Sequence, residues 1–279
     1  MQPTHTTTKT DGVIFREYPS MHDLVGHWHQ VGSHFSRSEM RSGWYYGGCD
    51  LETIESCLVN GLANPESDMD TFNQALRDFK KALGNSTAQS TVSGKRRKLR
   101  RKSGGRLLMN AYMNEDIKPF LLKSRKTAAP KLRVGFRSNG NSHMDAADQS
   151  RTAALACAVA NCLFQRGYAV EVSSLVASNM HRNGGIWDVT STRLVNAGFK
   201  MSTPRVLSCC TPAVHRVYAA GIRSNDHHGD GFGRASDIPT HITDRYFDVF
   251  INMDSTVQDI TNQTLGLLGK IKSGLITNK

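Results

Sequence analysis

The sequence predicts an α/β protein: a small, mainly helical N-terminal region followed by a layered, mostly parallel α/β sheet domain. Three observations carry this. Segments of strand and helix type alternate through the C-terminal half, the arrangement that builds a sheet covered by helices. A long alanine-rich stretch of helical character lies between two compact apolar stretches. The first third, in contrast, is dominated by helical periodicity.

Taken in order, residues 1–12 carry Thr and Lys but few apolar side chains, and read as a disordered arm without the apolar core of a secretion signal. The region 13–84 follows. Phe15, Leu24, Val25, Trp28 and Phe35 suit a short strand and then a helix, and Trp44-Tyr45-Tyr46-Gly47-Gly48-Cys49 breaks the pattern with a glycine turn. Asp50 can accept the free amides of a helix over residues 51–59, which Asn60-Gly61 stops. Phe72, Leu76, Phe79 and Leu83 recur at three- and four-residue steps, giving an amphipathic helix over 70–83 that Gly84 ends. Residues 85–130 read as a basic linker and connecting segment, and 131–279 as the α/β domain. Within that domain strands are expected at 132–136, 168–172, 187–195 and 246–251. Helices are expected at 146–166, in part of 204–220, and at 257–271.

Charge separates these regions. Residues 1–90 carry a net −4, residues 91–133 a net +12 and residues 134–279 a net +3, within a total of +11. The positive charge belongs to one segment, an asymmetry that points to a polyanion. Lys95, Arg96, Arg97, Lys98, Arg100, Arg101 and Lys102 place seven cations in eight residues, interrupted only by Leu99, and Arg106 follows. A polyphosphate relieves the mutual repulsion of such a run and releases its own condensed counterions. Ser and Gly on both sides would let the run follow a phosphate backbone without a preformed groove. Such contacts position a protein and carry little base information. Trp44, Tyr45 and Tyr46 could stack on unpaired bases, although packing in a core or turn is the ordinary role of such a triplet.

No complete catalytic motif is present. Asp226-His227-His228-Gly229-Asp230-Gly231-Phe232-Gly233 offers imidazoles and carboxylates on a glycine-rich loop but matches no established ligand spacing, so a mobile polar loop is expected rather than a metal site. His22, His27, His29 and His34 lack a completing carboxylate or cysteine, and are expected around a packed Trp28. P-loop, G-x-S-x-G, H-E-x-x-H and dinucleotide-binding patterns are missing. Of six cysteines none forms a C-x-x-C pair, and Cys157 lies in an apolar helical stretch, so reduced thiols are expected. No run of apolar residues is long enough to cross a bilayer.

Four pieces of the chain together resemble a known family. They are Trp44 with Gly47-Gly48 and the Asn60-Gly61-Leu62 stop; the basic run leading to residues 106–113; Arg151-Thr152-Ala153-Ala154-Leu155-Ala156 running to Arg166-Gly167-Tyr168; and Pro212-Ala213-Val214-His215-Arg216. The resemblance is to an uncharacterised family of bacteriophage and mobile-element proteins, a domain of unknown function, and covers most of residues 20–255. It implies a viral or mobile-element origin and action in the cytoplasm of a bacterial host or in the virion, and it transfers no catalytic residue. The C-terminal half is also distantly similar to a von Willebrand A-type sheet. The metal motif of such domains begins with an aspartate, and here the position reads Arg137-Ser138-Asn139-Gly140-Asn141-Ser142.

The expected function is thus that of a non-enzymatic nucleic-acid-binding accessory protein that needs no cofactor or metal and uses the cationic central segment on DNA or RNA. The alternative is a virion or complex assembly protein whose α/β domain docks a phage or host protein. A metal-dependent enzyme built around residues 226–230 is a third reading with less behind it.

Overall fold

The computed structural model describes residues 5–10, 12–32, 65–84, 99–101, 106–107, 120–122, 130–139, 146–180, 186–199, 201–209, 214–219, 221–223 and 238–273. It is an α/β structure built on a six-stranded mixed sheet. In chain order the elements are β1 (Thr6–Thr10), β2 (Val13–Tyr18), α1 (Met21–Val31), α2 (Pro65–Leu83), β3 (Leu99–Arg101), β4 (Arg106–Leu107), β5 (Phe120–Leu122), β6 (Lys131–Arg137), α3 (Ala146–Gln165), β7 (Ala169–Met180), β8 (Ile186–Val195), α4 (Thr203–Ser208), a π-helical turn (His215–Ala219), α5 (Thr240–Tyr246), β9 (Val249–Ile251) and α6 (Val257–Lys272). The large sheet has the order β1-β2-β8-β7-β6-β9, and β3-β5-β4 form a separate small sheet.

The central unit follows from the sequence. In β6, Leu132, Val134 and Phe136 alternate with Lys131, Arg133, Gly135 and Arg137 and are buried on one face. Helix α3 is rich in alanine, a strong helix former whose small side chain lets the backbone lie close to the sheet. Ala153, Ala154, Ala156 and Ala158 are fully buried there. Helix α2 packs against α3, with Phe79 fully buried and Phe72 and Leu83 nearly so. Helix α6 completes the layer through Ile260, Leu267 and Leu268, and its start is fixed by a capping box between Thr256 and Asp259. At the other end of the same sheet face, α1 and the π-helical turn enclose Tyr18, Leu24, Trp28, Val217 and Tyr218. The opposite face packs Phe15, Leu175, Ala177 and Val189 against Ile238 and Ile242 of the segment containing α5.

Several expectations are corrected. Part of the arm over 1–12 is ordered: β1 pairs antiparallel with β2, and Thr10 opposes Val13. Threonine favours strands, and Asp-Gly is a strong hairpin signal because the turn demands positive φ, here 72° at Gly12. Within the region 13–84, β2 lies parallel to β8 in the large sheet, while α1 and α2 are helical. The expectation of a mostly parallel sheet is met only in part, for the sheet is mixed. β2–β8, β6–β7 and β6–β9 are parallel, while β1–β2 and β7–β8 are antiparallel. The strand expected over 246–251 is confined to Val249–Ile251, because Tyr246 ends helix α5. Strand β7 runs on from the expected 168–172 to Met180. The stretch 85–130, read as linker, contributes the three short strands of the small sheet. The helix expected over 51–59, the aromatic triplet at 44–46 and the loop at 226–233 lie outside the described residues.

Candidate nucleic-acid interface and the buried charge network

The cationic run enters the fold through the small sheet. Leu99, Arg100 and Arg101 form β3, and Arg106 begins β4. Both strands pair antiparallel with β5, and Leu121 is the register partner of Arg100 on one side and of Arg106 on the other. Those two backbone positions therefore stand two strand spacings apart, about 10 Å. The remaining site residues expected from the sequence, Lys95, Arg96, Arg97, Lys98 and Lys102, lie outside the described residues. The structure thus brings Arg100 and Arg106 to one short sheet and gives Arg101 a place beside Arg100 in the same strand.

A second concentration of charge was not anticipated. Asp188 of β8 is fully buried, and Arg16 of β2 and Arg223 are nearly so. A guanidinium nitrogen of Arg16 donates to Asp188 Oδ1, and Arg223 Nε lies 3.6 Å from the same oxygen. Burial pushes the Arg223 pKa below its ordinary value; Asp188 opposes that shift and neighbouring Arg16 adds to it. Ser174, Ser178, Thr190 and Thr192 share this sheet face and are buried as well, as the pairing of β7 with β8 requires. A polar seam therefore divides the apolar cluster beneath α3 from the one beneath α1. Asp188, Thr190 and Thr192 recur at every second position, a signal legible in the sequence but indistinguishable there from an ordinary solvent-facing strand.

The other face carries a more open network around buried Glu171. Lys131 Nζ lies 2.9 Å from its carboxylate, Arg193 Nε 3.2 Å and Arg133 Nε 3.9 Å. Arg193 also donates to Glu17 at 2.6 Å, joining β8 to β2. Arg137, fully buried, sits on this face in register with Leu175.

His5 and His27 pack against Tyr18. Trp28 is buried, and His27 Nδ1 lies 2.7 Å from the Tyr18 hydroxyl. The His5 ring stacks on His27 with centroids 4.5 Å apart. Among the described residues no three His, Cys, Asp or Glu side chains are placed to hold a metal ion. Cys157, Cys162 and Cys209 are free and buried. Burial raises all three thiols, Cys157 to about 12 and Cys209 to about 11, so none is an activated nucleophile. No described helix is long and apolar enough to cross a membrane.

Compared with protein-family models, with curated proteins and with solved structures, the chain matches none.

Proposed function

We propose that the protein is a non-enzymatic nucleic-acid-binding accessory protein that grips the phosphate backbone with Lys95, Arg96, Arg97, Lys98, Arg100, Arg101, Lys102 and Arg106. The density of the run carries this reading: seven cations in eight residues, in a chain whose other segments nearly cancel in charge. The register of the small sheet supports it by holding the positions of Arg100 and Arg106 on either side of Leu121. The buried arginines are the less suitable contacts, since Arg16 and Arg223 are committed to Asp188 inside the fold. We extend the proposal, on the resemblance alone, to action in the cytoplasm of a bacterial host or in a virion, on DNA or RNA.

Contacts of this kind release counterions. With about six of the eight cations on duplex phosphates, affinity falls roughly 10³-fold between 50 and 200 mM salt. The test is to titrate nuclease-treated protein against labelled single-stranded DNA, duplex DNA and RNA at those two salt concentrations. A variant with the cations of residues 95–102 changed to serine runs alongside. Salt-sensitive binding that this variant loses supports the proposal and ranks the polymers. Equal, negligible binding by both proteins refutes it.

A further inference from the structure

The segment that carries the cationic run is anchored at one end of the large sheet. It leaves α2 at Gly84, whose amide donates to the carbonyls of Lys80 and Lys81 at 3.2 Å each. It returns at Pro130, whose carbonyl accepts the amide of Ala169 at 3.1 Å. Ala169 opens β7, which the chain enters from the C-terminal end of α3. The ends of α2 and α3 meet there as well, since Lys80 is close enough to Cys162 for its charge to oppose the upward shift of that thiol. Leu122 of β5 is eight residues from Pro130, so the small sheet lies within about 29 Å of this end.

Two phenylalanines are exposed at the same end. Phe164, in the last turn of α3, is 41% exposed, and Phe199 is 68% exposed. Phe199 closes a turn just beyond β8, with its amide donating to the Asn196 carbonyl at 3.1 Å; β8 itself ends at Val195, opposite Val172 of β7. Cations stand at this end too. Lys80 and Lys81 are exposed in the last turn of α2, and Lys131 is the register partner of Ala169. Arg166 donates to the Cys162 carbonyl at 3.3 Å. A single exposed apolar side chain is ordinary. Two aromatic rings among cations, at the root of a cationic segment, are the combination with which proteins hold unpaired strands: phosphates on the cations, base faces on the rings.

We infer that this end of the fold is the second half of the nucleic-acid interface, with Phe164 and Phe199 stacking on bases and Lys80 and Lys81 on phosphates, and that the ligand is single-stranded. The inference rests on the proposed function and specifies its polymer. A duplex presents base edges in its grooves and keeps the base faces stacked on one another, so the two rings contribute nothing to holding it. Single-stranded DNA and RNA share the chemistry that the rings and lysines recognise.

The test is fluorescence anisotropy of nuclease-treated, full-length protein with labelled single-stranded DNA, single-stranded RNA and duplex DNA over a series of salt concentrations. Three double variants accompany wild type: Phe164→Ala with Phe199→Ala, Phe164→Trp with Phe199→Trp, and Lys80→Ser with Lys81→Ser. Wild type should prefer one of the single strands to the duplex. The alanine variant should bind single strands about tenfold more weakly or worse, with the wild-type salt slope and undiminished duplex binding, which also shows that it is folded. The tryptophan variant should restore single-strand affinity. The lysine variant should make the slope of log affinity against log salt shallower by about 1.4, the share of two single-strand phosphates. Wild type that prefers duplex, an alanine variant that binds single strands as wild type does, or one that loses duplex to the same degree each overturns the inference. Any of these with binding still abolished by the serine variant of residues 95–102 leaves the proposed function standing. Wild type that binds no nucleic acid refutes both.

Discussion

Asp188→Asn removes one charge and almost no volume, and it should be among the most destabilising single changes in the protein. Asp188 has no solvent exposure, and the side chains of Arg16 and Arg223 are 7% and 3% exposed. Solvent therefore cannot screen the two guanidiniums once the carboxylate is gone. Breaking a buried ion pair by removing one partner costs about 3–5 kcal/mol. A domain is stable by only about 5–15 kcal/mol, so the loss is a large fraction of the whole. Urea denaturation followed by circular dichroism at neutral pH reads the difference directly. The counter-experiment replaces the cluster together, with Arg16→Met, Asp188→Leu and Arg223→Met. That variant should lie within about 2 kcal/mol of wild type or above it, because the desolvation of three ionic groups disappears along with their attraction. A cost below about 1 kcal/mol for the asparagine variant would refute the reasoning, for Asp188 would then not be what neutralises the arginines.

Gly135→Ala should cost about 1–3 kcal/mol, because a Cβ there would lie 2.5 Å from Cδ1 of the Phe247 ring and α5 would have to shift; thermal melting compared with wild type checks it. Phe79→Ala should cost about 3–5 kcal/mol, since Phe79 is fully buried in the core shared by α2 and α3, and urea titration would show an unchanged slope with a lower midpoint. Cys157, raised to about 12, should resist alkylation at pH 8 until the protein unfolds, as site-resolved mass spectrometry would show. The Asp259 carboxyl is held below its ordinary pKa by its bonds to Thr256, so the stabilisation from this cap is present above the unfolded pKa and lost as pH falls through the folded one; Thr256→Val should flatten that acid limb of the stability profile.

What could be read from the sequence was what local periodicity encodes. Strand β6, helix α3 and helix α6 lie within a residue or so of their expected limits, because each buries one regularly spaced apolar set. The pairing of β2 with β8 had no such signal. Arg16 and Asp188 are 172 positions apart, and nothing in either strand alone names its neighbour. Asp188, Thr190 and Thr192 resemble the wet side of a half-buried strand, and only the placement of α1 and residues 215–223 over them makes that side interior. The cationic run was legible as composition. Its register was not, because strands of three and two residues are too short to display alternation.

The buried triad also explains how two such distant strands find a single register. Arg16 is the register partner of Thr190 and reaches Asp188, two positions along the same face, on the diagonal. A one-residue slip of β2 would turn Arg16 into the apolar cluster with Leu175 and Val189, and would turn Phe15 into the polar seam. A two-residue slip would keep the faces but change the diagonal that Arg16 spans to Asp188. It would also move Glu17 away from Arg193, whose 2.6 Å contact joins the same two strands on the other side. Hydrophobic burial alone would penalise the first error and tolerate much of the second. Charged partners on both faces penalise both. The ion pairs therefore contribute more to the uniqueness of the β2–β8 pairing than to its net stability, which is why the all-apolar triple variant is expected to be stable and its β2 register to be less sharply defined.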